Sequence, residues 1–203
     1  MTGSTLNMHY TIADPKTFGI SEYEPVLPIY HSGQPEDSKE HCSDLLHRLD
    51  RIDPDRLSPE NAYTYRLLHR SLENDLALAD FPYYNEPLSP SSGMQSQLPV
   101  LLAEYTFRTK RDVTDYLALL DQIDDYFSSL LLYEQEKAAA GFFMPACSSE
   151  KVRKQCDTIV TTEELAQGTH FLQTTFEDRL SELQKQGLFT PEETASLIET
   201  NDR

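Results

Sequence analysis

The chain has few basic residues, few cysteines and no long apolar run, and each shortage excludes a class of function. Lys and Arg total 17 against 34 Asp and Glu, a formal net charge of -17 over 203 residues. Such a surface repels phosphate backbones and anionic headgroups, which argues against a nucleic-acid partner. The short basic clusters at Arg108-Thr109-Lys110-Arg111 and Lys151 to Lys154 lie among acids and read as solvated helix ends. The three cysteines, Cys42, Cys147 and Cys156, are an odd and sparse set without zinc-knuckle spacing, and are read as free thiols. No apolar stretch approaches the ~20 residues that cross a bilayer. Met1 to Met8 has neither the charged nor the apolar region of a signal peptide.

Strict alternation, the mark of a half-buried strand, is also missing, whereas apolar spacing of three and four recurs throughout. The fold class expected is all-α, an irregular multi-helix bundle with helical hairpins and long Pro/Tyr-rich loops, organised as one helical region over 1–203. Ser58-Pro59-Glu60 combines a cap, a first-turn proline and a first-turn acid, and so starts a helix whose apolar face is Tyr65, Leu68, Leu72, Leu76 and Ala79. Pro82 ends it near Asp80. A shorter helix over Ser38 to Asp50, with Cys42, Leu45, Leu46 and Leu49 inward, pairs with it as an antiparallel hairpin across Asp53-Pro54-Asp55. One long helix is expected from Arg111 to Ala140, stopped by Gly141. Further helices are expected over Ser149 to Val160, Phe171 to Gln184 and Pro191 to Asn201. Thr11 to Pro35 and Phe81 to Pro99 read as long ordered loops.

Chemistry is thin. None of His9, His31, His41, His47, His69 and His170 is followed by Glu, so the helical zinc-protease pattern of two histidines with an adjacent general base is missing. His41, Asp44 and His47 share a loose helix face and read as polar surface, and His69 with Glu73 reads as an i,i+4 surface pair. Adjacent acids such as Asp124-Asp125 and Glu163-Glu164 diverge on a helix and form no glycosidase pair. There is no phosphate loop, no G-x-S-x-G and no C-x-x-C. The residues themselves name no catalytic group, metal ligand or cofactor-binding residue.

Longer runs carry more. They begin at Leu6-Asn7-Met8-His9-Tyr10-Thr11-Ile12-Ala13-Asp14-Pro15 and Phe18-Gly19-Ile20, and are densest in Phe81-Pro82-Tyr83-Tyr84-Asn85-Glu86-Pro87-Leu88-Ser89-Pro90, Gly93-Met94-Gln95 and Leu98 through Phe107. They resume at Asp112-Val113, Asp115 to Leu120, Tyr126-Phe127, Glu134, Glu136-Lys137, Ala140-Gly141 and Gln155-Cys156. On these runs the chain resembles the N-terminal part of the bacterial family called domain of unknown function 885, whose members resemble gluzincin-type zinc metallopeptidases and are often lipoproteins. The resemblance implies a mostly helical body around a deep cleft. It implies a His-Glu-x-x-Pro-Gly-His type sequence in a C-terminal half that would bind zinc, none of whose ligands lies in this chain. It further implies an exported, membrane-anchored lipoprotein, with the missing C-terminal half as partner and a peptide as substrate. The expectation is therefore a non-catalytic helical portion of a zinc-dependent peptidase that forms part of the substrate-cleft wall and is inactive alone. Tyr84 and Gln95 are the residues expected to meet substrate, by stacking and hydrogen bonding on a loop held by helices. The alternative is a self-sufficient helical binding module without enzymatic activity.

Overall fold

The computed structural model describes residues 4–30 and 34–202, the side chains of 34–36 apart; Met1 to Gly3, His31 and Arg203 therefore lie outside the described residues. Helices account for the regular structure, with no strand among the described residues, so the protein is all-α. They are α1 (Thr5–Thr11), α2 (Gln34–Leu49), α3 (Pro59–Leu78), α4 (Met94–Ala103), α5 (Lys110–Leu120), α6 (Ile123–Ala139), α7 (Ala146–Ile159), α8 (Thr162–Gln167), α9 (Phe171–Lys185) and α10 (Pro191–Asn201). Contacts divide the chain into two compact units. One comprises Met1–Ile29, Pro87–Leu131 and Met144–Arg203, the other Tyr30–Glu86 and Leu132–Phe143.

The first unit holds the main core. Leu98 and Leu102 of α4, Val113, Tyr116 and Leu119 of α5, and Phe176, Leu180 and Leu183 of α9 are all buried. Tyr105, Phe107, Tyr116 and Phe176 form a cluster of mutual ring contacts, with Phe107 edge-on to Phe176 at 5.5 Å and Tyr116 stacked on it at 5.4 Å. Offset and edge-on contacts of this kind add to the area each ring buries. The N-terminal segment straps onto this core: Gln122 Oε1 accepts the Leu27 N–H at 3.0 Å, and Gln122 Nε2 donates to the Pro25 carbonyl at 2.9 Å.

That strap explains why the single helix expected over Arg111 to Ala140 is two. At the break the Gln122 N–H turns to the Leu119 carbonyl, and the Ala118 carbonyl it would take in a continuous helix accepts Gln122 Nε2 instead, at 2.8 Å. The side chain substitutes for the backbone bond while also holding residues 25 and 27. A second difference is α4, which begins at Met94 inside the stretch read as loop and carries Pro99 in its interior. Proline there removes a backbone donor. Complete burial of the neighbouring Leu98 and Leu102 against α7 and α9 offsets the loss. The loop that remains is shorter than expected, and α1 and α8 lie where the sequence pattern marked no helix.

The second unit is thin. α2 and α3 pack as a hairpin, antiparallel because Lys39 near the start of α2 reaches Asp80 beyond the end of α3 while Asp50 after α2 reaches His69 in mid α3. Ser58 Oγ caps α3 as expected, accepting the Asn61 N–H. The face expected to be core, however, is only partly covered: no residue of α3 is buried, and Leu68 is among its exposed apolar side chains. Two helices supply two surfaces, and a core closed on all sides needs more. α6 contributes residues up to Leu131 to the first unit and from Leu132 to the second. It ends at Gly141, whose φ of +88° is the left-handed stop, with the Phe142 N–H returning to the Lys137 carbonyl.

Candidate functional site

Within the second unit, the chain after α3 folds into a turn over residues 81–86 that rests on the last turns of α6. The Tyr133 hydroxyl reaches the Pro82 carbonyl at 2.9 Å and the Asn85 carbonyl at 3.3 Å. Lys137 Nζ donates to the Asn85 carbonyl at 3.0 Å and to Glu86 Oε2 at 2.8 Å. Burial, with Glu134 nearby, raises the Tyr133 hydroxyl to about 12, so it stays protonated as a donor. Lys137 is only 1% exposed, an ammonium sunk beneath the turn. Tyr83 packs beside Tyr133 and Phe142, with ring centroids 6.1 and 6.0 Å away.

These supports leave the outer side of the turn open. Residues 80–84, Glu86 and Phe142 line a depression of about 570 Å³ whose walls are mostly aromatic and proline carbon. Phe81, Tyr84 and Phe142 are exposed, Tyr84 to 78%. Its two charged lining residues are the carboxylates of Asp80 and Glu86. Each also meets a lysine, Lys39 at 2.5 Å and Lys137 at 2.8 Å. Glu134, one turn before Lys137, is 7% exposed, and neither of its carboxylate oxygens has a hydrogen-bond partner. Burial raises its pKa, Glu86 adds to the rise, and Lys137 opposes it. From the sequence Tyr133 was legible only as a helix residue, and Glu134 and Lys137 only as parts of the runs that carry the resemblance. The signal that marks them is the i+3 and i+4 spacing that puts them on one face of α6.

Tyr84 thus sits at the depression and Gln95 elsewhere, in the first unit. Gln95 is buried, its Nε2 donating to the Ser89 carbonyl at 2.7 Å and to Gln155 Oε1 at 2.9 Å, while Gln155 Nε2 donates to the Pro90 carbonyl at 2.9 Å. The pair ties the 87–93 turn to α7. Gly93 is required there, because a Cβ would stand 2.0 Å from Gln95 Oε1 and 2.3 Å from the Ser89 nitrogen.

The first unit has its own polar cluster around α5. Thr109 and Asp112 form a capping box, and Asp112 Oδ1 lies 3.7 Å from His9 Nδ1. The His9 ring stacks on Tyr105 at 3.7 Å. Burial, and then Arg108, hold His9 below its usual 6.5 against the pull of Asp112, Asp115 and the Thr106 backbone. Asp115 is buried and accepts from the Tyr23 hydroxyl at 2.8 Å and Arg111 Nε at 3.4 Å, and the Arg111 guanidinium lies 3.9 Å over the Tyr23 ring. Burial, followed by Asp115, raises Tyr23 to about 12. Every member of this cluster faces another, which is the arrangement of a structural network.

Three further histidines make separate contacts. His47 Nδ1 rests on the Ser43 carbonyl, His69 lies between Asp50 at 3.2 Å and Glu73 at 3.5 Å, and His170 Nε2 meets the Ile159 carbonyl at 2.9 Å. Among the described residues no three His, Cys, Asp or Glu side chains gather where one metal ion could join them. Nor, among them, is any helix long and apolar enough to cross a membrane.

The family described as "Bacterial protein of unknown function (DUF885)" matches residues 16–200 of this chain. Curated proteins give no match. Among solved structures, "the putative lipoprotein from Colwellia psychrerythraea" is similar over 97% of this chain, with a TM-score of 0.70 and 15% sequence identity. At that identity the likeness is one of fold. The chain spans 34% of that protein's length.

Proposed function

The chain belongs to that bacterial family of unknown function, and from this premise we propose that it is the helical, non-catalytic portion of a zinc-dependent peptidase, forming part of the wall of its substrate cleft. The observation that carries the reading is the depression at 80–86 and Phe142: an aromatic surface left open to solvent although its backbone is held from beneath by Tyr133 and Lys137. A turn fixed so firmly and covered so little is suited to receiving a peptide. The share of the similar lipoprotein that this chain spans supports a larger body around it. In this reading zinc and the general base belong to the partner portion of a longer polypeptide. That polypeptide is exported and lipid-anchored, a reading that the lipoprotein of similar fold supports.

The test compares the full reading frame containing this chain with the 203-residue chain alone, each incubated with zinc and a peptide panel. Metal-dependent cleavage by the longer protein only is expected. Cleavage by the short chain, or an inactive longer protein beside a stable, ligand-binding short chain, would overturn the reading, the latter in favour of a binding module.

A further inference from the structure

The depression carries information about what it would hold. Its two carboxyl side chains are the only lining groups that carry charge near neutral pH, and neither exhausts its carboxylate: the Asp80 side chain is 65% exposed and that of Glu86 46%. A carboxylate offers roughly four acceptor positions, so one lysine contact each leaves others facing solvent. Glu134, buried one turn before Lys137, adds a further carboxyl group to two ammonium groups. The rest of the lining presents aromatic faces from Phe81, Tyr83, Tyr84 and Phe142, whose quadrupoles attract cations.

The same molecule shows what such a combination accepts. In the first unit a tyrosine, Tyr23, and a carboxylate, Asp115, are filled by a guanidinium: Arg111 lies 3.9 Å over the ring while its Nε meets Asp115. Arg179 repeats the stacking over Phe107 at 4.4 Å. The depression of the second unit has the ring faces and the acids without a guanidinium. Planar, weakly hydrated and forked, that group suits this pairing better than an ammonium does.

We propose that the depression formed by residues 80–86 and Phe142 is a binding site for a basic side chain of a peptide, an arginine guanidinium by preference, stacked on Tyr84 or Phe81 and paired with Glu86 or Asp80. The inference deepens the cleft-wall reading and rests on it for the depression being a peptide surface. It names the substrate class: peptides with a basic residue at the position that meets this wall.

The test is a nuclear magnetic resonance titration of the 203-residue chain with acetyl-Ala-Arg-Ala-amide and with its citrulline counterpart, which keeps the shape and loses the charge. The arginine peptide is expected to bind about tenfold more tightly, consistent with a desolvated cation–π contact plus an ion pair. Shifts should be confined to residues 80–86 and 142. Phe81→Ala and Asp80→Asn should each reduce that preference, and a spectrum otherwise unchanged would show that the fold is intact. Equal binding of the two peptides would overturn the cation preference while leaving the cleft wall standing. Binding of neither would overturn both.

Discussion

In the first unit Tyr105, Phe107, Tyr116 and Phe176 touch one another and are closed from solvent, and the charges beside them are spent on partners inside the fold. In the second, Phe81 and Tyr84 after α3 and Phe142 and Phe143 after α6 stand open, and the longer helix of its hairpin buries no residue. The two regions have similar residues and use them differently. Aromatic rings that meet on all sides stabilise a fold, whereas rings held from behind and open in front form a surface for something else.

This contrast is broken most severely from the core side. Phe176→Ala should cost about 4 kcal/mol, since a fully buried ring leaves a cavity that its two neighbouring rings, Phe107 and Tyr116, cannot fill, as chemical denaturation will measure. A smaller loss, about 2 kcal/mol, is expected for Lys137→Met, which leaves the Asn85 carbonyl only the longer bond from the Tyr133 hydroxyl while Glu86, half exposed, recovers water. Hydrogen exchange at residues 82–86 should quicken in the same variant. Glu134→Gln should go the other way. Because the folded carboxyl titrates above its usual 4.5, the unfolded chain ionises first as pH rises from there, and the wild type loses stability until the folded group ionises too. The variant escapes that loss and should be the more stable protein at pH 7, with no gain below pH 4, as denaturation at the two pH values will measure. His9 has the opposite sign. Its folded pKa lies under 6.5, so its contribution is present above pH 6.5 and fades as pH falls below it; His9→Phe should flatten that acid limb while keeping the stack on Tyr105. The smallest effect is at the open surface, where Tyr84→Ala should change stability by under about 0.5 kcal/mol.

Much of the helical architecture was readable because its signals are local. The caps at Ser58 and Thr190, the first-turn prolines beside them and the stop at Gly141 all act where the sequence places them. What local signals could not convey were bonds made across distance. Gln122 splits a helix by holding residues 25 and 27, and α4 survives Pro99 because Leu98 and Leu102 are buried against α7 and α9. The turn that ends at Gly93 is clamped by Gln95, in the first turn of α4, and by Gln155, sixty positions on from Gln95. For the candidate site the sequence indicated a loop from Phe81 to Pro99 with Tyr84 and Gln95 as its contacts, of which Tyr84 lines the depression and Gln95 is buried. The buried Lys137 and the partnerless Glu134 show only once α6 is set against the turn over residues 81–86.

The central claim is that the open aromatic surface receives a peptide and contributes little to holding the fold. Replacing Phe81 and Tyr84 together by alanine in the longer protein tests it most directly. The account predicts a KM raised about tenfold with kcat and the unfolding midpoint unchanged, the pattern of lost uniform binding. An unchanged KM, or a midpoint that falls as far as for Phe176→Ala, would contradict it.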